Sequence, residues 1–461
     1  MKRTLNRSFL IFILALAFFA GMCVLCFRLF TQNEDWVQKP FNGHTATSSG
    51  LAQAGTIYDR NGNILAQSVD NERIYNEDYD VRCSLLHLVG DNSLNISTAV
   101  QSTYRTQLTG YNYIWGMGLP QSLRGKNDIK LTVDSETCAA AYRELDDRKG
   151  ACVVYNYKTG EVLCSVSTNT YDPQNPPEIN EENEDMYEGV YLDHVLSSTY
   201  TPGSTFKLVT AAAAIENLPD IYDRTFYCYG SEEIGGSDVT CMEEHGDISF
   251  MDAMSHSCNI VFAELAVELG KDKMTKTATS MGFNQSFQIS SNNTVKTTYD
   301  VSKANVNQLA WSGVGQYTNM ANPMQMAILC GAIANGGIPV MPYVVDESSS
   351  IFSALGLDNK EQGKRMLSTE TAQKVGELMR YTISSYYGDD MFPTLTVCAK
   401  TGTAEVGKDK EPNAWIVGYS TDEDAPLAFA VVVENGGYGI SAAGPVAVAA
   451  MTQAAECLRN K

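Results

Sequence analysis

The sequence predicts a mixed α+β protein: an antiparallel sheet with helices, behind a small N-terminal domain and one membrane-spanning helix. Three observations carry this. Phe9 to Phe27 is an unbroken apolar run of 19 residues. From about residue 129, short strand-like runs and helical segments share one long region, with strands at both of its ends. Neighbouring strand-like runs there are close enough in sequence to pair antiparallel, which makes a layered α+β fold.

The 461 residues leave room for two domains, one with a core of its own well above the minimum size. A net charge of −21 argues against a nucleic-acid binder, which would carry a basic face, and is read as a solubility feature. As a helix, the 19-residue run spans roughly 28 Å, close to the bilayer core of about 30 Å. Lys2, Arg3 and Arg7 precede it, and Glu34 and Asp35 follow. The positive-inside bias puts residues 1–8 in the cytoplasm, 9–30 in the membrane and the rest outside. A cleaved signal peptide needs a shorter core and a small-x-small site, which Arg28-Leu29-Phe30-Thr31-Gln32 does not offer. Neither Cys23 nor Cys26 follows the small residues of a lipoprotein site.

Ten of the twelve cysteines lie beyond this run, with no CxxC pair, which argues against zinc. Several, such as Cys152 in Ala151-Cys152-Val153-Val154, read as small buried hydrophobes. So many thiols in an exported chain suit a poorly oxidising habitat. Cys228 and Cys241 are spaced such that a disulfide between them is open.

Residues 31 to about 50 are polar and read as a linker. Asn61-Gly62 between apolar runs signals a hairpin. Residues 31–125 form the linker and small accessory domain, and 126–461 the main domain. In the latter, Ile129 to Asp134 alternates like a strand, with Asp134 near the N-cap of a following helix. Gly150 to Ser167 reads as two strands around a turn at Asn156 to Gly160. Residues 170–190 are loop. Helices are expected at Ser204–Leu218, Ile260–Gly270, Met324–Ala334 behind Pro323, Ser368–Ser385 and Met451–Leu458. Strands are expected at Thr394–Ala399, Ala414–Tyr419 and Leu427–Glu434.

Three motifs carry chemistry. In Pro202-Gly203-Ser204-Thr205-Phe206-Lys207, Ser204 opens a helix, where orphan N–H groups gather, and Lys207 shares its face. A serine hydroxyl needs an adjacent base, and a desolvated lysine can serve. Alone, the pattern equally describes an N-cap serine with a solvated lysine. Ser257-Cys258-Asn259 precedes the Ile260 helix. Ser93-Leu94-Asn95, Ser167-Thr168-Asn169 and Ser290-Ser291-Asn292 share its pattern and read as turns or caps. Lys400-Thr401-Gly402-Thr403 ends the expected Thr394 strand, where glycine admits a ligand to the backbone. Lys158-Thr159-Gly160 is a decoy in a hairpin turn.

The order Ser-x-x-Lys, Ser-x-Asn, Lys-Thr-Gly is far more specific than any one part. It resembles class B, monofunctional penicillin-binding proteins. Gly55 to Ala66 is similar to the segment opening their N-terminal pedestal. Gly313-Val314-Gly315-Gln316, Ala334-Asn335-Gly336-Gly337 and Ala414 to Tyr419 are similar to stretches of their transpeptidase domain. Tyr317, where such proteins often have glycine, and Asp193-His194-Val195, in place of an Arg-Ala pair, depart from the pattern.

The resemblance implies a transpeptidase domain of the penicillin-binding and serine β-lactamase fold. It implies a peptidoglycan D,D-transpeptidase with catalytic Ser204, Lys207, Ser257 and Lys400. Ser204 would attack the D-Ala–D-Ala carbonyl of a stem peptide and Lys207 would take its proton. Ser257 would relay a proton to the leaving D-alanine, tuned by Lys400. Asn259, Thr401, Gly402 and Thr403 would bind substrate, with the N–H groups of Ser204 and Thr403 around the oxyanion. β-Lactams would acylate Ser204, and no cofactor is implied. Residues 31–125 are too few for a glycosyltransferase, which implies a polytopic membrane glycosyltransferase as partner. A β-lactamase, a β-lactam sensor and a non-catalytic scaffold are the rivals. They lack support from a deacylating glutamate motif, a cytoplasmic domain and any lost catalytic residue, respectively.

Overall fold

The computed structural model describes residues 2–31, 48–110, 128–346, 362–407 and 410–460. Most of the expected linker, with Glu34 and Asp35, lies outside these residues. Helix α1 (Lys2–Thr31) opens the chain, followed by strands β1 (Ile57–Tyr58), β2 (Ile64–Val69), β3 (Glu72–Tyr75) and β4 (Ile129–Lys130). Helix α2 (Ser135–Leu145), β5 (Gly150–Asn156), β6 (Val162–Thr168) and α3 (Lys207–Asn217) come next. Then follow β7 (Thr225–Cys228), β8 (Ser231–Glu233), β9 (Asp238–Thr240), β10 (Gly246–Ser249) and α4 (Asn259–Ser280). A two-stranded ribbon, β11 (Gln288–Ile289) and β12 (Asn292–Asn293), precedes α5 (Pro323–Ala334) and α6 (Thr369–Thr382). The chain closes with β13 (Val397–Ala404), β14 (Asn413–Ser420), β15 (Leu427–Val433) and α7 (Gly439–Arg459).

Helix α1 is long and apolar enough to cross a membrane, and its side chains from Ile11 to Arg28 are all exposed. Its 30 residues reach about 45 Å.

The N-terminal sheet runs β3-β2-β1-β4. The expected hairpin joins β1 to β2, with Gly62 at φ +91°. β4 pairs parallel to β1 across 72 residues, Ile57 opposite Ile129. The ladder stops at Lys130, shorter than the alternation to Asp134 suggests. Thr132 turns its hydroxyl to the Val162 and Tyr343 carbonyls, and Asp134 caps α2 through the Thr137 N–H. Asp59 is fully buried and explains the Asp-Arg-Asn-Gly-Asn run. Its Oδ1 accepts from the Asn61 and Asn63 N–H groups at 2.8 Å, and its Oδ2 from Ser135 Oγ at 2.8 Å. The hairpin turn is thereby fastened to the first residue of α2 by charge-assisted hydrogen bonds.

The main sheet is antiparallel throughout, in the order β13-β14-β15-β5-β6. Every residue of β5, β6, β14 and β15 is buried. That is why these strands read as continuous apolar runs: both faces are covered. Helices α2 and α7 pack on each other and on the sheet, and α5 and α6 form the second helical layer. α5 is apolar all round, buried from Pro323 to Ile333.

Gly331 of α5 admits Tyr155 of β5; a Cβ there would lie 1.8 Å from its hydroxyl. That hydroxyl is buried and has no hydrogen-bond partner among the described residues. Removing an unpaired buried polar group relieves its desolvation. Tyr155→Phe is therefore expected to raise stability by about 1 kcal/mol, read as a higher Tm. An unchanged or lower Tm would contradict the unpaired hydroxyl.

Four elements differ from the sequence reading. The strand holding Lys400-Thr401-Gly402-Thr403 does not end at Ala399 but runs through the motif to Ala404, paired residue by residue with β14. The Ile260 helix breaks at Gly270 as expected, where φ +77° and ψ 168° are not helical, but a second helical segment, not read from the sequence, follows it directly to Ser280. The terminal helix starts at Gly439, twelve residues before Met451, because small residues let it lie close on β14 and β15. The Ser368 cap holds, but the α-helix ends at Thr382 and a π turn covers Ile383–Tyr387.

Candidate active site

Ser204 lies in a single 3-10 turn, Gly203–Phe206, from which α3 continues at Lys207. Two glycines shape the approach. Gly203 has φ +52°, and a Cβ on it would meet the Thr403 carbonyl oxygen at 2.6 Å. Its N–H donates to the Gly315 carbonyl at 3.1 Å. Gly315 has φ +91°, and a Cβ there would fall 1.9 Å from the Gly203 oxygen. Phe206 anchors the turn from beneath, stacked on Tyr299 at 5.1 Å.

Lys207 is fully buried. Its ammonium donates to Ser257 Oγ at 3.1 Å, to Asn259 Oδ1 at 2.8 Å and to the Ser257 carbonyl. Burial pulls it down to about 8, with the Cys258 and Cys241 thiols acting in the opposite sense. Lys400, also buried, reaches the same hydroxyl: its Nζ donates to Ser257 Oγ at 3.0 Å. Burial first, and then the nearby Lys207, holds it well below the usual lysine range. Ser257 itself sits at φ +57°, a left-handed conformation uncommon for serine. The strain points its oxygen between the two lysines.

The side chains open onto a cleft of 430 Å³ that Ser204, Ser257, Asn259, Thr401 and Thr403 line. All three motifs therefore meet around one cavity. Lys400 faces Ser257 rather than open solvent, so the hydroxyls of Thr401 and Thr403 are left as the cleft-facing polar groups of β13. Gly402 lets β13 lie against the nucleophile's turn: a Cβ there would meet the Pro202 carbonyl oxygen at 2.8 Å. The decoys stay apart. Lys158 donates to Asn335, and Ser290 Oγ accepts from the Val344 N–H.

The family described as penicillin binding protein transpeptidase domain matches residues 150–452. The chain belongs to this family. Among its relatives, the peptidoglycan D,D-transpeptidase PbpA of Mycolicibacterium smegmatis is 28% identical over 70% of each chain. Stage V sporulation protein D of Bacillus subtilis is 29% identical over 67% of this chain and 50% of its own length. The D,D-transpeptidase domain of a peptidoglycan glycosyltransferase from Eggerthella lenta superposes with TM-score 0.73 at 28% identity, covering 88% of this chain and 98% of that one. Penicillin-binding protein A from Mycobacterium tuberculosis, solved as a ceftriaxone acyl-enzyme, shares the fold at TM-score 0.73 and 24% identity, over 88% and 99% of the two chains.

Two residues of this penicillin-binding transpeptidase's cleft, Tyr387 and Gly439, carried no sequence signal. Tyr387 shares a 2.6 Å hydrogen bond with Thr401 Oγ1, and Thr403 Oγ1 accepts from the Gly439 N–H at 3.3 Å. Tyr317 occupies the position noted for its missing glycine, and its φ is +73°. In Asp193-His194-Val195, Asp193 caps a short helix and His194 Nδ1 meets Tyr200 Oη at 2.8 Å, a structural role.

The lack of CxxC spacing argued against zinc, and the structure adds an observation that spacing does not show: Cys228, Cys241, His245 and Cys258 converge, with their ligand atoms all within 4.8 Å of one another. Strand pairing, not local spacing, brings them together. Among the described residues no cysteine is in a disulfide, and Cys228 and Cys241 are both free thiols.

Proposed function

We propose that this chain is a serine D,D-transpeptidase that cross-links peptidoglycan stem peptides and is acylated by β-lactams at Ser204. The observation that carries the reading is the convergence of Lys207 and Lys400 on Ser257 Oγ beside the cleft that Ser204 lines. Ser204 Oγ attacks the penultimate D-Ala carbonyl, and its proton passes to neutral Lys207. The oxyanion rests on the N–H groups of Ser204 and Thr403. As the C–N bond breaks, a proton reaches the leaving D-alanine nitrogen through Ser257, with Lys400 holding that hydroxyl. The amine of a second stem peptide then takes the acyl group. Asn259 positions the donor amide, and Thr401, Gly402 and Thr403 hold the terminal carboxylate at the edge of β13.

Residues 1–8 lie in the cytoplasm, 9–30 cross the membrane, 31–125 form linker and pedestal, and 126–461 form the transpeptidase domain outside. A polytopic membrane glycosyltransferase supplies the glycan strands. The test is full-length protein in detergent with a fluorescent penicillin, followed by intact mass. A stable one-to-one adduct, absent from Ser204→Ala, is expected. Drug consumed with no lasting adduct would replace the transpeptidase by a β-lactamase, and no adduct on folded protein would remove Ser204 as nucleophile.

The base sets a pH dependence. Lys207 is protonated below about pH 8 and neutral above it. The acylation rate is therefore expected to rise with pH through about 8 and then level off. A rate flat between pH 6 and 10, beyond the range of the about one-unit spread of protein pKa values, would exclude Lys207 as base.

A further inference from the structure

The four residues Cys228, Cys241, His245 and Cys258 offer one ligand atom each, close enough together to share one metal ion. A zinc ion with Zn–S about 2.3 Å and Zn–N about 2.0–2.1 Å holds sulfur–nitrogen pairs about 3.6 Å apart. Here His245 Nδ1 lies 3.4 Å from Cys228 Sγ and 3.8 Å from Cys241 Sγ. The other imidazole nitrogen, Nε2, is buried and faces a Glu243 carboxylate oxygen at 3.5 Å. A carboxylate beside the far ring nitrogen helps to orient a metal-bound histidine. Cys241 Sγ also accepts the Asn259 backbone N–H at 3.3 Å, a contact suited to a thiolate.

The surrounding segment needs a staple. β7, β8, β9 and β10 form two small ribbons, β10-β7 and β8-β9. Their side chains are largely exposed, with only Cys228, Val239 and Ile248 buried. Such ribbons bury too little apolar surface to hold themselves together. The fourth donor, Cys258, lies between Ser257 and Asn259, so whatever binds the four also holds the second motif.

We propose that Cys228, Cys241, His245 and Cys258 bind one structural zinc ion that staples the β7–β10 segment to the Ser257-Cys258-Asn259 turn. Binding replaces the thiol protons, which leave to solvent, and involves no oxidation. Three thiolates and one imidazole form a closed set, with no position left for a catalytic water. The ion thus positions Ser257 and Asn259 without touching substrate. The proposal stands apart from the transpeptidase reading, because its readout is metal content.

The test is zinc analysis of the full-length chain, purified in detergent with reductant and dialysed against zinc. About one zinc per chain is expected. Cys228→Ser and His245→Ala should lose it, while Cys330→Ser, a buried thiol elsewhere, should keep it. Because the variants can misfold, the wild-type chain is also loaded with cobalt(II). Intense visible bands of a tetrahedral site with thiolate charge transfer are expected, together with a lower Tm after chelation. Zinc-free protein that stays zinc-free on dialysis and gives an octahedral cobalt spectrum would overturn the site. So would full zinc retention in both ligand variants, or a Cys228–Cys241 disulfide in protein kept under reductant.

Discussion

Replacing Lys207 by methionine is expected to lower the rate of Ser204 acylation by roughly 10²–10⁴-fold, while leaving a folded protein. The rate loss follows from the base role. With no amine, nothing beside the nucleophile accepts its proton, and the other lysine, Lys400, is committed to Ser257 Oγ and the Thr401 carbonyl. The fold should survive because a buried ammonium is expensive to keep and methionine fills a similar volume. The offsetting cost is Asn259 Oδ1, which loses its donor, worth about 1–3 kcal/mol. Fluorescent-penicillin kinetics and Tm on the same preparation separate the two effects. Lys207→Arg should be equally slow, since its guanidinium stays charged. A Lys207→Met protein that acylates at the wild-type rate would end the assignment.

Gly315→Ala is expected to slow acylation by about 10²-fold and to lower Tm. The new Cβ would lie 1.9 Å from the Gly203 oxygen and 2.6 Å from its carbonyl carbon, and both are backbone atoms. Neither can swing aside as a side chain can. The turn must move, and Ser204 moves with it; about 1 Å of misplacement suffices for such a loss. The positive φ adds about 1–2 kcal/mol. Gly62→Ala is the matched control: φ is +91° there too, but nothing lies within 4 Å of the added Cβ. It should show the strain alone, a small Tm change with full acylation. Equal acylation by both variants would show that the Gly203–Gly315 contact does not set the nucleophile's position.

Much of the catalytic constellation was legible because its chemistry is local. Ser204 and Lys207 share one turn, and Ser257 with Asn259, and Lys400 with Gly402, are short motifs on their own elements. The buried strands were legible as apolar runs. What was hidden depends on pairing between distant segments. The convergence of Cys228, Cys241, His245 and Cys258 is one case: β10 pairs with β7, setting Gly246 opposite Cys228, and no count of residues between cysteines reveals that. The length of α7 is another. Its first half, Gly439 to Ala450, is rich in small residues, with Pro445 inside, and gives no helical signal until β14 and β15 are seen beneath it. Lys400 was assigned a strand end because glycine and threonine break an apolar pattern, whereas pairing with β14 carries the strand through them.

The strand order has a consequence for how the protein is made. β5 pairs with β15, placing Asn156 opposite Leu427, so the central seam of the sheet joins segments from opposite ends of the domain. A chain emerging N-terminus first exposes β5 and β6 as a hairpin with an open, apolar edge. That edge stays unpaired until the last strands arrive. Such long-range closure is slow and leaves a sticky intermediate. Ser204, Ser257 and Lys400 are synthesised in that order, and the third rides on β13, beyond the seam. Half-made chains therefore carry a serine but not its cleft, and the waiting edge must be shielded before the nucleophile has anything to act with.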